Sequence, residues 1–229
     1  MKTTKPIGMR AYGSIPHLPG SRRGPSDKGL SEKQSEILTE KARDKHDHIF
    51  VEEKLDGSCC SVAKVNGEIV SLQRAGYRAI TSPFEQHHIF HRWVERQAER
   101  FSSLLMEGER FCGEWLALAH GTVYDLPHEP FVVFDLMRGT ERATRNELRD
   151  RCGDLVLPRL ISEGGPMSVT EMLSVIEPSG HGAESVEGAV WRVERKGAVD
   201  FLGKYVREGK VDGNLLPEMN DGRSTWNYR

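Results

Sequence analysis

The sequence has 229 residues, 32 Lys and Arg against 34 Asp and Glu, a net charge of -2, and 37% hydrophobic residues. That length suits one large domain or two small ones around a substantial core, and the composition is ordinary for a soluble globular chain. The near-neutral balance excludes a global basic field for tracking along a polyanion, and leaves open a local grip on a few phosphates. Cys59, Cys60, Cys112 and Cys152 show no C-x-x-C spacing and read as reduced thiols of an intracellular protein. The N-terminus has no apolar segment, and no run approaches the ~20 apolar residues of a membrane span. A cytoplasmic protein with no membrane partner is the expectation.

Residues 6–30 are rich in Gly, Pro, Ser and Arg, which is loop chemistry. Tyr12, Ile15 and Leu18 within it suggest an ordered arm packed on the rest of the chain. Ser31 reads as the N-cap of a polar helix to about Lys45, with Ile37, Leu38 and Ala42 as its buried stripe.

A short apolar strand, Ile49 to Val51, then runs into Glu52-Glu53-Lys54-Leu55-Asp56-Gly57. A lysine ending a strand beside a tight turn is held rigidly, and it can act as a nucleophile only when neutral. An isolated K-x-D-G is far more often a solvated hairpin, so the rest of the chain has to carry the case. Ser58 to Val65, the Asn66-Gly67 pair and Glu68 to Arg74 spell a β-hairpin. Its return strand brings Arg74 back toward Lys54.

A helix around Gln86–Met106 follows, with Phe90, Trp93, Val94, Ala98, Phe101, Leu104 and Leu105 on one face. His87 and His91 stand at i, i+4, but no third ligand has a recognisable spacing, so a zinc site is not expected. Residues 110–119 form a strand in which Glu114 is the one carboxylate among apolar neighbours. A buried acid needs a partner, so Glu114 is either a ligand-binding residue or half of an ion pair. Phe131 to Leu136 is a buried strand carrying Phe134 and Asp135.

Thr144-x-x-Glu147 and Ser168-x-x-Glu171 are capping boxes opening helices to about Cys152 and Ile176, with a strand, Leu155 to Ile161, between them. Ser185 to Val193 is a strand entered through Glu187-Gly188. A Lys196-Gly197 turn joins it to Val199–Val206, which carries Lys204. Strands outnumber helices without regular alternation, giving an α+β class with antiparallel sheets. The expected organisation is a single domain: an N-terminal arm and helix over 1–48, a core over 49–207, and a turn-rich tail over 208–229.

In order, these landmarks resemble the covalent nucleotidyltransferase superfamily of ATP-dependent DNA and RNA ligases and mRNA capping enzymes. Glu53-Lys54-Leu55-Asp56-Gly57 looks like the nucleotidyl-lysine motif, and Arg74 falls where the family has an arginine after the hairpin. Phe111 to Trp115 resembles the ribose-binding motif, and Phe131 to Asp135 the aromatic stacking motif. Glu187 to Val190 resembles the metal-binding acidic motif, and Leu202 to Val206 the last lysine motif. The match runs from Glu53 to Lys204. Lys54-Leu55-Asp56-Gly57-Ser58, with Cys59 where DNA ligases and capping enzymes usually have arginine, favours ATP-dependent RNA ligases of the T4 RNA ligase 2-like group. Little chain remains after Lys204, so no OB-fold domain is expected. The last motif usually has two lysines spaced i, i+2, and here Lys204 stands with Leu202 and Val206 on either side, so one phosphate contact is either missing or supplied by Arg207 or Lys210. A second K-x-D-G at Lys210-Val211-Asp212-Gly213 lacks the surrounding motifs and reads as a surface turn.

The resemblance implies a nucleotidyltransferase, ATP-grasp-like ligase adenylation fold with antiparallel sheets flanked by helices. It implies ATP and Mg2+ (or Mn2+) as cofactors. Lys54 would attack the α-phosphorus, with Arg74, Lys204 and Asp56 in the catalytic set. Glu53 would read the adenine edge, Glu114 bind the ribose and Phe134 stack on the base. Glu187 and Asp135 would serve the metal. The implied partners are RNA ends, in a nicked duplex or a cleaved RNA, with a separate end-healing kinase or phosphatase. Arg22, Arg23, Arg78, Arg138, Arg142 and Arg145 are candidate RNA contacts. The alternatives are a DNA ligase or capping-type guanylyltransferase module, or a non-catalytic RNA-end-binding relic.

Overall fold

A computed structural model describes residues 4–182, 185–211 and 213–228. In chain order its elements are helix α1 (Glu32–Thr39), strands β1 (Asp47–Lys54), β2 (Ser58–Val65) and β3 (Glu68–Gln73), a 3-10 turn (Ala79–Thr81), and helices α2 (Glu85–Arg96) and α3 (Ala98–Leu104). Strands β4 (Glu109–Trp115), β5 (Phe131–Arg138) and β6 (Glu141–Arg142) follow, then helix α4 (Arg145–Arg151), strand β7 (Leu160–Gly164), helix α5 (Val169–Val175), and strands β8 (Gly188–Arg195) and β9 (Ala198–Val206). They form two units. Unit one is Met1–Gly13, Ser58–Leu118 and Glu129–Leu157; unit two is Ser14–Gly57, Ala119–His128 and Pro158–Arg229.

Unit one is built on an antiparallel sheet of order β3-β2-β4-β5-β6. Its first hairpin turns at Asn66 and Gly67, both with positive φ, as a two-residue turn requires. The single helix expected over 86–106 is two, broken at Gln97 (φ -104°, ψ 12°). The break lets Phe101 meet Trp93 edge-on at 5.6 Å, beside Phe90, Trp115 and Phe131. Burying these large rings outweighs one lost turn of helix.

Unit two is an antiparallel sheet of order β7-β1-β8-β9. Ile49 and Val51 of β1 and Ala189, Trp191 and Val193 of β8 pack with Ile37 and Leu38 of α1 and with Met172 of α5 and Ile176 just beyond it. Helix α1 has a capping box, Ser31 with Gln34, and ends at Thr39, short of the expected Lys45. Beyond it Arg43 is drawn out to Asp47 and Asp200, and Arg195 to Asp44 and Asp47. The strand expected over 155–161 starts at Leu160, because Val156 instead accepts from Val133 N in unit one. Among the described residues no helix is long and apolar enough to cross a membrane.

Candidate functional site

Side chains alternate across a strand, so β1 presents two faces. Ile49 and Val51 enter the core of unit two, which puts Glu52 and Lys54 on the opposite face. Lys54 pairs in register with Gly188 of β8, and Gly188 with Val206 of β9; Lys204 lies two residues before Val206. Lys54 and Lys204 therefore share a face, two strands apart, roughly 10 Å across the ladder. Gly188, between Lys54 and Val206, has no side chain. The Lys54 ammonium, 20% exposed, bonds to the Glu187 carboxylate and to the Leu55 carbonyl.

Glu53 points the other way. Its carboxylate, 2% exposed, accepts from Ser179 Oγ, from Gly180 N at 2.8 Å and from Arg159 Nε at 3.4 Å. Strand parity and these partners set it against the loop after α5. Asp56 Oδ2 accepts from Gly121 N at 2.8 Å, and Asp56 N donates to Tyr124 Oη at 2.9 Å. Tyr124 N in turn donates to Asn227 Oδ1 at 3.0 Å. Burial pushes the Tyr124 phenol well above its ordinary value, and the Asp56, Glu187 and Glu53 carboxylates add to the push. It stays neutral and hydrogen-bonding. Tyr124→Phe removes the acceptor for a buried N–H, costing about 1–2 kcal/mol. That loss should appear as a lower guanidinium midpoint.

In unit one, Glu114 is the one residue of β4 that is not fully buried, and Phe134 the one in β5 before its exposed end. The ladder slips between Cys112 and Gly113, since Cys112 pairs with Asp135 and Gly113 with Val133. Phe134 is the bulged residue, and a bulge re-aims a side chain. A Cβ on Gly113 would lie 2.6 Å from the Phe131 ring and from Val132 O, so this close approach requires glycine. The Phe134 ring stands 4.9 Å from Tyr12, tilted by 58°. Cys59 pairs with Glu114. Burial first and Glu114 second push its thiol well above the usual range, with Arg74 opposing them. Arg74 donates to Gly13 O at 3.2 Å, and its carbonyl accepts from Ala11 and Tyr12 N.

Asp135, 1% exposed, accepts from Tyr12 Oη at 2.5 Å and Arg142 Nε at 3.2 Å. These bonds make it the residue that seats Tyr12 beside Phe134. Among the described residues no cluster of three or more His, Cys, Asp or Glu is placed to hold a metal. His87 and His91 instead meet serine hydroxyls, His87 Nδ1 with Ser82 at 2.6 Å and His91 Nδ1 with Ser71 at 2.9 Å. Of the candidate RNA contacts, Arg138 is bound to Glu109 and Glu147, Arg142 to Asp135, and Arg145 is buried. Arg22, Arg23 and Arg78 are exposed. Of the second K-x-D-G, Asp212 lies outside the described residues, while Lys210 reaches Thr122 and Ser185. Tyr12, Tyr124 and His17 are functional candidates that the motifs do not mark. Only the placing of Tyr12 in an ordered arm pointed to one of them.

His17 and His181 are each 2% exposed. Burial lowers both from 6.5 to about 4, helped by Lys204, Arg23 and Lys54 against Asp27 for His17, and by His128 and Arg159 for His181. An unfolded histidine takes a proton below about 6.5, while these wait until about 4, so the unfolded chain binds more protons in that window. Stability is therefore complete above about 6.5 and falls as pH drops toward 4, by up to about 3 kcal/mol per histidine. Guanidinium midpoints at pH 7.5 and 5.0 check this; equal midpoints would refute it, and His181→Asn should flatten the slope.

The family model described as RNA ligase matches residues 47–206. An archaeal ATP-dependent RNA ligase structure is 21% identical and superposes with a TM-score of 0.53, covering 85% of this chain and 48% of that one. A mutant Naegleria gruberi RNA ligase with ATP and Mn is 15% identical, with a TM-score of 0.52 and coverage of 93% and 64%. At these identities the likeness establishes the fold: antiparallel sheets and helices in the arrangement of nucleotidyltransferase-type ligases. This chain spans about half the length of the archaeal protein. No curated protein matches it.

Proposed function

This chain belongs to the RNA ligase family, and on that premise we propose that it is an ATP-dependent RNA ligase joining a 3′-hydroxyl to a 5′-phosphate. The observation that carries the reading is Lys54, held on one face of its sheet with Glu187 bonded to it and Lys204 two strands away. In the proposed first step the Lys54 nitrogen attacks the α-phosphorus of ATP. An N–P bond forms, the bond to pyrophosphate breaks, and the lysine proton leaves to solvent. A lysine bridged to a carboxylate is an ammonium without a lone pair, so Glu187 must release it before attack. Lys204 meets the growing charge on the α-phosphate oxygens, a fixed cation in place of reorganising water. Arg74 of unit one is assigned to phosphate, Glu114 to the ribose and Phe134 to the base, with Tyr12 supporting the ring. Asp56 holds the turn that follows Lys54.

For the divalent ion, Mg2+ or Mn2+, the hard carboxylate oxygens of Glu187 are the right donor chemistry. Such ions commonly take one or two carboxylates plus substrate phosphates. Bound there, the ion would neutralise phosphate charge. The AMP then passes from Lys54 to a 5′-phosphate, and a 3′-hydroxyl displaces it. Exposed Arg22, Arg23 and Arg78 are the proposed contacts to RNA. Ends of other chemistry would need a kinase or phosphatase to prepare them.

The test is protein-bound label from α-labelled ATP or GTP, followed by sealing of a nicked RNA or DNA duplex. Label from ATP with sealing of RNA supports the proposal. Label from GTP alone moves it to capping chemistry, preference for DNA to a DNA ligase, and no label from either to a non-catalytic relic.

A further inference from the structure

Strand β9 is the last strand of its sheet, and an edge strand presents unpaired backbone groups. Here residues 16–22 of the arm take up that edge at two positions. Lys204 N donates to Pro16 O at 2.9 Å, and Lys204 O accepts from Leu18 N at 2.8 Å. Two residues on, Val206 N donates to Ser21 Oγ at 2.9 Å and Val206 O accepts from Arg22 N at 3.1 Å. The residue thus clamped is the cation assigned to the α-phosphate.

His17 sits at the middle of the clamp. Its backbone N donates to Lys28 O and its carbonyl accepts from Leu30 N, both at 2.8 Å. Its ring Nδ1 lies 2.7 Å from Ser21 Oγ, and its Nε2 lies 3.3 Å from the Asp27 carboxylate. Asp27 is itself held by Gly24 N at 2.8 Å. The ring is neutral near pH 7, since burial and the neighbouring Lys204 lower its pKa to about 4. A neutral Nδ1 can accept from the Ser21 hydroxyl, whose oxygen is then oriented to accept from Val206 N. Burying an imidazole costs desolvation that a leucine of similar bulk would not incur. Its return is directional: Nδ1 is held 2.7 Å from the Ser21 hydroxyl.

We propose that His17 is a positioning residue for Lys204, locking the arm on the β9 edge through Ser21 so that the Lys204 ammonium is presented at one place. The inference rests on Lys204 being the α-phosphate cation of the proposed reaction. Misplacing a charge by about 1 Å at such a step is worth about a hundredfold in rate at most.

The experiment uses the full chain, Mg2+ and α-labelled ATP, and measures the initial rate of protein labelling over a range of ATP. His17→Ala and Ser21→Ala should each slow the maximal rate about tenfold, with KM for ATP within about threefold of wild type. His17→Asn, whose amide can replace the Nδ1 contact, should recover to within about threefold. In a Lys204→Ala background, His17→Ala should add less than about threefold, because the group it positions is gone. Circular dichroism checks the folding of each variant, and Ser21→Ala and His17→Asn decide the matter if His17→Ala does not fold. The proposal is overturned if His17→Ala labels at the wild-type rate, if the asparagine is as slow as the alanine, or if the two losses multiply independently. A wild type that takes no label from ATP would sink the ligase reading instead, and this inference with it.

Discussion

On the proposed reaction, Lys54→Ala should take up no label from α-labelled ATP, a loss of at least about a thousandfold, since covalent catalysis has no second route once its nucleophile is gone. The same substitution leaves the Glu187 carboxylate, only 9% exposed, without its ammonium partner, so a modest fall in stability should accompany it. Lys54→Arg separates the two effects. A guanidinium keeps the charge beside Glu187 but stays protonated and cannot attack phosphorus. That variant should melt near the wild type and still carry no label. Measurable label on either variant would show that another residue is the nucleophile.

The second large effect is expected at Gly188. This residue pairs with Lys54 on one side and with Val206 on the other. A Cβ built there would lie 1.9 Å from Tyr205 O and 2.9 Å from its carbonyl carbon. These are backbone atoms that cannot swing aside, so β8 and β9 would have to separate at the point where Glu187 and Lys204 are set. Gly188→Ala should cost about 3 kcal/mol and lower the melting temperature by about 10 °C, with labelling at Lys54 falling in step. Gly165→Ala is the control, since its Cβ meets nothing within 4 Å and its φ is ordinary. A soluble Gly188→Ala protein that melts with the wild type would contradict the close strand approach.

Much of this architecture is legible locally. The Asn66-Gly67 turn, the serine and threonine caps at Ser31, Thr144 and Ser168, and the alternation along β2 act over two to four residues. Sequence neighbours state such rules in full. The errors have a common cause as well. The helix over 86–106 has one continuous apolar stripe, yet it breaks at Gln97 because Phe101 gains more by joining the ring cluster. The strand at 155–161 reads as one apolar run, but its first half pairs with β5 and its second with β1.

The site divides along the same line. The sequence by itself determined the order of the motifs, the placing of Lys54 at the end of a strand, and the parity that sets Lys54 and Glu53 on opposite faces. Only the tertiary structure decided which carboxylates are already engaged: Glu53 by Ser179, Gly180 and Arg159, Asp135 by Tyr12 and Arg142, and Asp56 by Gly121. It also placed Arg138 and Arg142 in ion pairs, buried Arg145, and set Tyr124 and His17 beside the motif residues. Strand parity and helix caps are properties of a few consecutive residues. A partner 65 to 127 positions away along the chain, as for Asp56 with Gly121 and Glu53 with Gly180, leaves no trace in local spacing, because only folding brings the two together.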